Sequence, residues 1–327
     1  MFCKNLLGVR KQINTDGVLQ ELEMTPLALY AVKSVVKNWE RIQKNDANKL
    51  LIDSNADAHR NHLPWAFNIR QIFSTNGMFR EYLQKMNETE EVRYGPIAEK
   101  LFQRLKDQFN QMSFESIKTS SKMKILNMLK KTPGKETYLT EVKNSKHRIA
   151  MTKLRLSGHR LEIETGRWKK NNKDNDKTPT QETDAEERLC AYCQFTGQKT
   201  VGDEIHFLLR CPIVSEIREK ILPSQILLDP ETSDEGKFTF LMSDHEANDL
   251  RLTAKFIHQA SEEREIKLDV LNTLSELVSA TENLLKKPDP GEDIKINGDR
   301  KKSRGKTPRY MIKDSSQNGL KLTLCRV

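Results

Sequence analysis

The sequence predicts a mainly α-helical protein, and three observations carry that expectation. Apolar residues recur at helical steps of three and four in several stretches. Prolines, glycines and cap residues bracket those stretches. The composition, 36% hydrophobic against 31% charged, leaves a thin core for 327 residues. The expected arrangement is therefore one or more elongated helical domains, a small cysteine- and histidine-bearing module, and a disordered tail.

Residues 1–20 are weakly patterned, with Gly8 and Gly17 breaking any long element. Thr25 and Pro26 supply a cap and a first-turn proline for a helix whose inward face is Ala28, Val32, Val35, Trp39 and Ile42. Trp39 belongs to the core on that spacing. From Asp46 to Asn61 the composition is polar. A second helix starts near Pro64 and Trp65 and runs to Phe73 before Asn76 and Gly77, and another spans Phe79 to Met86. Pro96 opens a third with the stripe Ile97, Leu101, Leu105, Phe109 and Met112, completing a helical domain over 1–115.

A basic helical segment over 116–170 comes next. It holds a short helix with Met123, Leu126 and Leu129, one from Lys135 to Val142, and one through Ile149, Leu154 and Leu156. Residues 171–188 read as a polar linker. The module with its packed helices covers 189–264. Pro212 opens a helix with Ile213, Ile217 and Ile221, Pro223 ends it, and two short helices between Phe238 and Ile257 are closed by Glu262, Glu263 and Arg264. A short helix follows over 265–285, where Leu271, Leu274, Val278 and Leu285 keep heptad-like spacing. Residues 286–327 turn to Pro, Gly, Asp and Lys and read as a disordered basic tail.

Three of the five cysteines fall between Cys190 and Cys211, in the pattern C-x2-C-x12-H-x4-C with His206. Two cysteines two residues apart can face one ion from a single turn, and the second pair arrives from another element. Cys190, Cys193, His206 and Cys211 thus make one complete tetrahedral ligand set for a single structural Zn2+, a CCHC zinc-binding module. Ordinary buried thiols with a satisfied histidine, or a disulfide, are the alternatives.

Charge is concentrated just upstream. Lys118 to Lys170 holds 15 basic and 4 acidic residues, a local net charge of +11 in a chain whose total is +9. Such a field attracts polyphosphate. Lys146, Arg148, Lys153, Arg155, Arg160 and Arg167 are the candidate contacts to RNA or DNA phosphates. Trp168 or Tyr192 is a candidate stacking surface for an unpaired base, and core filling is an equal role for Trp168. A solvated lysine-rich face is the plain alternative.

No run of 18 apolar residues and no signal-peptide pattern occurs, so the expected setting is intracellular and without membrane contact. Arg300 to Lys306 is a candidate nuclear-import or nucleic-acid patch. No Walker A loop, no Gly-x-Ser-x-Gly elbow and no Asp-Asp pair occurs, which argues against an enzyme. Glu162 and Glu164 alternate with Leu161 and Ile163, which fits a strand or extended edge.

Three blocks, Phe2 to Val9, Leu154 to Trp168, and the Cys190 to Pro212 cluster, resemble the C-terminal portion of reverse transcriptase proteins of non-LTR (LINE-like) retrotransposons. The resemblance covers roughly residues 1–264. It implies a region downstream of the polymerase palm, with Cys190, Cys193, His206 and Cys211 as the metal ligands of a knuckle that helps hold template RNA or target DNA. The palm and its aspartates have no counterpart, so the resemblance implies a non-catalytic nucleic-acid-binding fragment or derivative. A zinc-stapled scaffold binding partner helices through residues 25–112 and 266–285, and a translated relic without selected function, are the competing expectations.

Overall fold

The structure, a computed structural model, describes residues 2–43, 48–87, 96–167, 183–243 and 247–285. Among these residues helices dominate and no strand forms, a single bridge between Leu189 and Val201 being the only ladder-like pairing. None of the helices is long and apolar enough to cross a membrane. The chain divides into two units, Met1–Ser275 and Glu276–Val327.

The opening helices are α1 (Phe2–Leu6), α2 (Thr15–Leu22) and α3 (Leu27–Gln43). Asn14 caps α2 by accepting a hydrogen bond from Gly17 N at 3.0 Å. α3 follows Pro26 as the sequence predicts, with Trp39 and Val32 turned inward as expected, but Val36 takes the place expected for Val35 and Ala28 is exposed. Val36 and Trp39 are buried while Val35 is exposed. α4 (Lys49–Arg60) occupies the polar stretch in which no helical stripe shows. Asn48 caps it, accepting from Leu51 N at 3.2 Å, and it turns Asn55, Ala58 and the half-buried His59 inward.

α5 (Pro64–Thr75), α6 (Phe79–Met86) and α7 (Ile97–Thr119) start where the prolines and aromatic periodicity place them. With α3 they enclose a cluster built on Trp39, Ile69, Phe73, Tyr82 and Leu101. The N-terminus of α7 lacks a local cap. The buried Glu40 of α3 supplies one from a distance, accepting from Ile97 N at 2.6 Å and Ala98 N at 3.3 Å. A carboxylate is well suited there, facing unpaired N–H groups and the positive end of the helix dipole.

α7 passes straight through residue 115, so the expected boundary between a 1–115 domain and a 116–170 segment falls inside one helix. α8 (Lys124–Leu129), α9 (Tyr138–Glu141), α10 (Ser145–Arg155) and α11 (Glu162–Thr165) follow. The helix expected over Lys135 to Val142 shrinks to α9, and the strand-like alternation at Leu161 to Glu164 is a helical turn. α12 (Ala191–Phe195), α13 (Ser215–Ile221), α14 (Ser224–Leu227) and α15 (Asp234–Met242) carry the cysteine region and its neighbours.

Of the two short helices expected between Phe238 and Ile257, α15 is the first, and the second runs on into the helix expected over 265–285 as the single helix α16 (Ala247–Leu285). No glycine or proline interrupts these residues, and Glu262, Glu263 and Arg264 are good helix formers. Its buried face uses Leu250, Ala254, Ile257 and Ala260, then Arg264.

One buried cluster joins Ile125, Tyr138, Met151 and Leu154 from α8–α10 to Cys190, Phe207, Ile213, Phe238 and Phe256. The basic segment and the cysteine region therefore share a core and do not form separate bodies. The linker's described end, from Thr183, contains a helical turn over Ala185–Glu187. The rest of the linker from 171 to 182, Trp168 and the tail 286–327 lie outside the described residues.

Candidate metal centre and basic groove

Cys190 caps α12 and Cys193 lies within it, so the C-x2-C pair comes from one turn, as its spacing predicts. His206 and Cys211 flank a π-helical turn, His206–Arg210, closed by a Cys211 N to His206 O hydrogen bond of 2.7 Å. In an α-helix residues five apart point about 140° away from one another, at about 100° per residue. The wider turn reduces that angle and lets both side chains face one point.

All four side chains are buried, and their ligand atoms lie within 4.8 Å of one another. Cys190 Sγ and Cys211 Sγ are 3.8 Å apart, and Cys193 Sγ is 3.3 Å from His206 Nε2. The first distance is nearly twice a disulfide bond, and all three thiols are free. A tetrahedral zinc with Zn–S near 2.3 Å has S···S edges of about 3.8 Å. The group could hold a metal ion.

Its protonation fits the same use. Cys190 is drawn down to about 3, first by the hydrogen bond from the Cys211 thiol and then by His206. Cys211 is driven up by donating that bond, and Cys193 is held at about 11 by burial and by the Cys190 charge beside it. Protein groups alone thus support one thiolate of three. A bound dication favours ionisation of the rest, which is how such sites couple metal binding to proton release.

Residues beyond the four fix this geometry. Asp203 Oδ1 accepts from His206 N at 2.7 Å and starts the turn. Arg218 of α13 donates to the carbonyls of Leu208 at 2.8 Å and Cys211 at 2.7 Å. Glu162 of α11 accepts from Ala191 N at 3.0 Å, capping α12, and from Arg264 of α16 at 2.5 Å. Gly202 packs against this carboxylate, and a Cβ there would collide with Glu162 Oε2 and stand 3.0 Å from Cys190 Cα. Of these residues only Asp203 has a readable signal, a short acid three positions before the capped N–H. The others depend on contacts distant in sequence.

The expected phosphate contacts separate into two sets. Arg155 is 1% exposed, donating to Glu21 at 2.9 Å, Glu136 at 2.5 Å and Met242 O at 2.9 Å. Arg167 is buried as well, bonded to both carboxylate oxygens of Glu164 and to Ser121. Neither guanidinium is available to a phosphate, because both are spent inside the protein. Arg148 donates to Val142 O at 3.0 Å and supports the turn before α10.

Lys146, Lys153 and Arg160, by contrast, line one groove of 620 Å3 between α10 and α16, joined there by Arg10. Tyr192 packs partly buried against the main core. Arg10 goes unnoticed in the sequence because it lies far from the basic segment. No protein family, no curated protein and no solved structure matches the chain.

Proposed function

We propose that Cys190, Cys193, His206 and Cys211 hold one structural zinc ion, and that the surrounding helical body is a non-catalytic module binding RNA or DNA. The single observation behind it is the buried Cys3His set with tetrahedral-sized separations. A soft, thiolate-rich set without a water-accessible position suits zinc held for structure. When bound, the ion supplies a cross-link between α12 and the His206–Arg210 turn, and Asp203, Glu162 and Arg218 orient the elements that carry the ligands.

The nucleic-acid part is supported by the cations gathered in the groove and by the +11 balance of residues 118–170. Descent from a non-LTR retrotransposon reverse transcriptase belongs to the same proposal and rests on the resemblance of the three sequence blocks. Metal analysis of purified protein beside Cys193→Ser tests the first part: one zinc per chain, lost in the variant. A gel shift with generic RNA and DNA at low and high salt tests the second, with retention falling steeply as salt rises.

A protein-interaction scaffold is favoured instead by Ile266, Val270 and Leu274, a row of exposed apolar side chains on α16. Zinc without nucleic-acid retention at either salt selects that reading.

A further inference from the structure

The groove between α10 and α16 has unlike walls. Arg10, Lys146 and Lys153 stand on one side, and among the described residues none of them takes part in an ion pair. Glu262 and Ser261 of α16 stand on the other, while Arg160 at the mouth is engaged with Glu265 at 3.4 Å. Half-buried Ile149 contributes an apolar floor, whereas Ile257, 1% exposed, belongs to the core. Arg10 is delivered by the turn at Gly8, whose φ of +65° brings its backbone so near α10 that a Cβ would meet Ile149 at 2.8 Å. Only glycine takes that conformation and that approach without strain.

A uniformly anionic occupant would be repelled by the Glu262 wall. A nucleotide matches all three surfaces: phosphate for the cations, a flat base face for Ile149, and an amino edge for the carboxylate and hydroxyl. A volume of 620 Å3 holds about one or two nucleotides and is far too small for a duplex. A base reaches the floor only when it is unstacked, which favours single strands.

Resting on the nucleic-acid reading above, we propose that this groove is a single-strand site that seats a base over Ile149 and its phosphates on Arg10, Lys146 and Lys153. The test uses the full-length protein and fluorescence anisotropy with a labelled single-stranded oligonucleotide, the same sequence as a duplex, and a sulfated polysaccharide as competitor. The single strand binds more tightly than the duplex, and the polysaccharide competes weakly at equal charge. The triple variant Arg10→Ala, Lys146→Ala, Lys153→Ala lowers the slope of log affinity against log salt by about 2, each single-strand phosphate contact being worth about 0.7. Between about 50 and 200 mM salt that slope accounts for a roughly twentyfold loss.

Lys37→Ala, Lys100→Ala, Lys106→Ala, a control on positions of α3 and α7 that do not line the groove, leaves the slope unchanged. Lys146→Glu, exposed and outside every core cluster, repeats the loss should the triple variant fold poorly. Wild-type binding with an unaltered slope in both groove variants overturns the groove assignment and leaves the nucleic-acid reading standing. Duplex or polysaccharide binding equal to the single strand overturns the nucleotide assignment, and no binding of any nucleic acid overturns both.

Discussion

Replacing Arg155 with alanine removes the donor that joins α2, the turn before α9 and the end of α15. Three hydrogen-bonded partners, Glu21, Glu136 and Met242 O, lose it at once, and Glu21 is left fully buried. Breaking a buried pair by deleting one member costs about 3–5 kcal/mol. At roughly 2–4 °C per kcal/mol for a large domain, the melting temperature falls by about 6–20 °C. Burial already pushes the Glu21 carboxyl above its ordinary value of 4.5 in opposition to Arg155. Without the guanidinium it rises further, so the folded variant holds a proton that the unfolded chain releases.

An acid of that kind adds stability below 4.5 and loses it as pH climbs through the raised folded value. Both proteins share the first part of that loss, and the gap between wild type and Arg155→Ala widens as pH rises past the wild-type carboxyl's own raised value. Thermal unfolding across pH, with Lys146→Ala as an exposed control that shifts stability by no more than about 0.5 kcal/mol, measures it. A loss under about 1 kcal/mol, or a gap that narrows toward alkaline pH, would refute the burial argument. A specific loss of nucleic-acid affinity with undiminished stability would return Arg155 to the surface role that its sequence context suggests.

Other consequences follow from the same contacts. Cys193→Ser releases the metal, and hydrogen exchange then accelerates in Ala191–Phe195 and His206–Arg210 while α3 and α7 keep their protection. Unchanged exchange would mean the ion does not brace these turns. Gly202→Ala forces the Glu162 carboxylate aside and costs about 1–3 kcal/mol in unfolding experiments, with weaker zinc retention against a chelator. A neutral result would place Gly202 outside the support of the site.

Trp39 Nε1 donates to His59 Nε2 at 3.1 Å, which fixes the neutral ring with its Nδ1 proton directed at Tyr82 Oη, 2.9 Å away. Burial lowers this histidine below 6.5, so its contribution is complete above 6.5 and is lost as pH falls toward the depressed value. The difference in stability between wild type and His59→Gln should shrink on acidification, and growth on acidification would reverse the assigned tautomer.

The sequence discloses these features unevenly, for physical reasons. Helices with an apolar stripe and a proline at the start, α3, α5 and α7, are legible in position because those signals are local, though Val35 and Met112, expected inward, are exposed. α4 is not, since its inward residues Asn55, Ala58 and His59 form no apolar stripe. The four side chains that could hold a metal ion can be read from spacing alone, because two cysteines in one turn are a local object. Arg155 and Arg167 mislead, because a basic residue counted in a window carries no sign of a carboxylate 134 positions upstream, as Glu21 is from Arg155. Glu162 looked like one side of an alternating strand, whereas the N–H of Ala191 and the guanidinium of Arg264 give it a task no window contains.

The shared cluster that runs from Ile125 through Cys190 to Phe256 has a bearing on how this element can be handled. Many zinc-binding knuckles travel as cassettes, excised and transplanted without loss. The Cys190–Cys211 group leans on flanking helices for nearly every wall it has, so a peptide cut at its borders would carry the four side chains but leave behind the masonry. Transfer to another host would require moving α8 to α16 together, as a single inheritance.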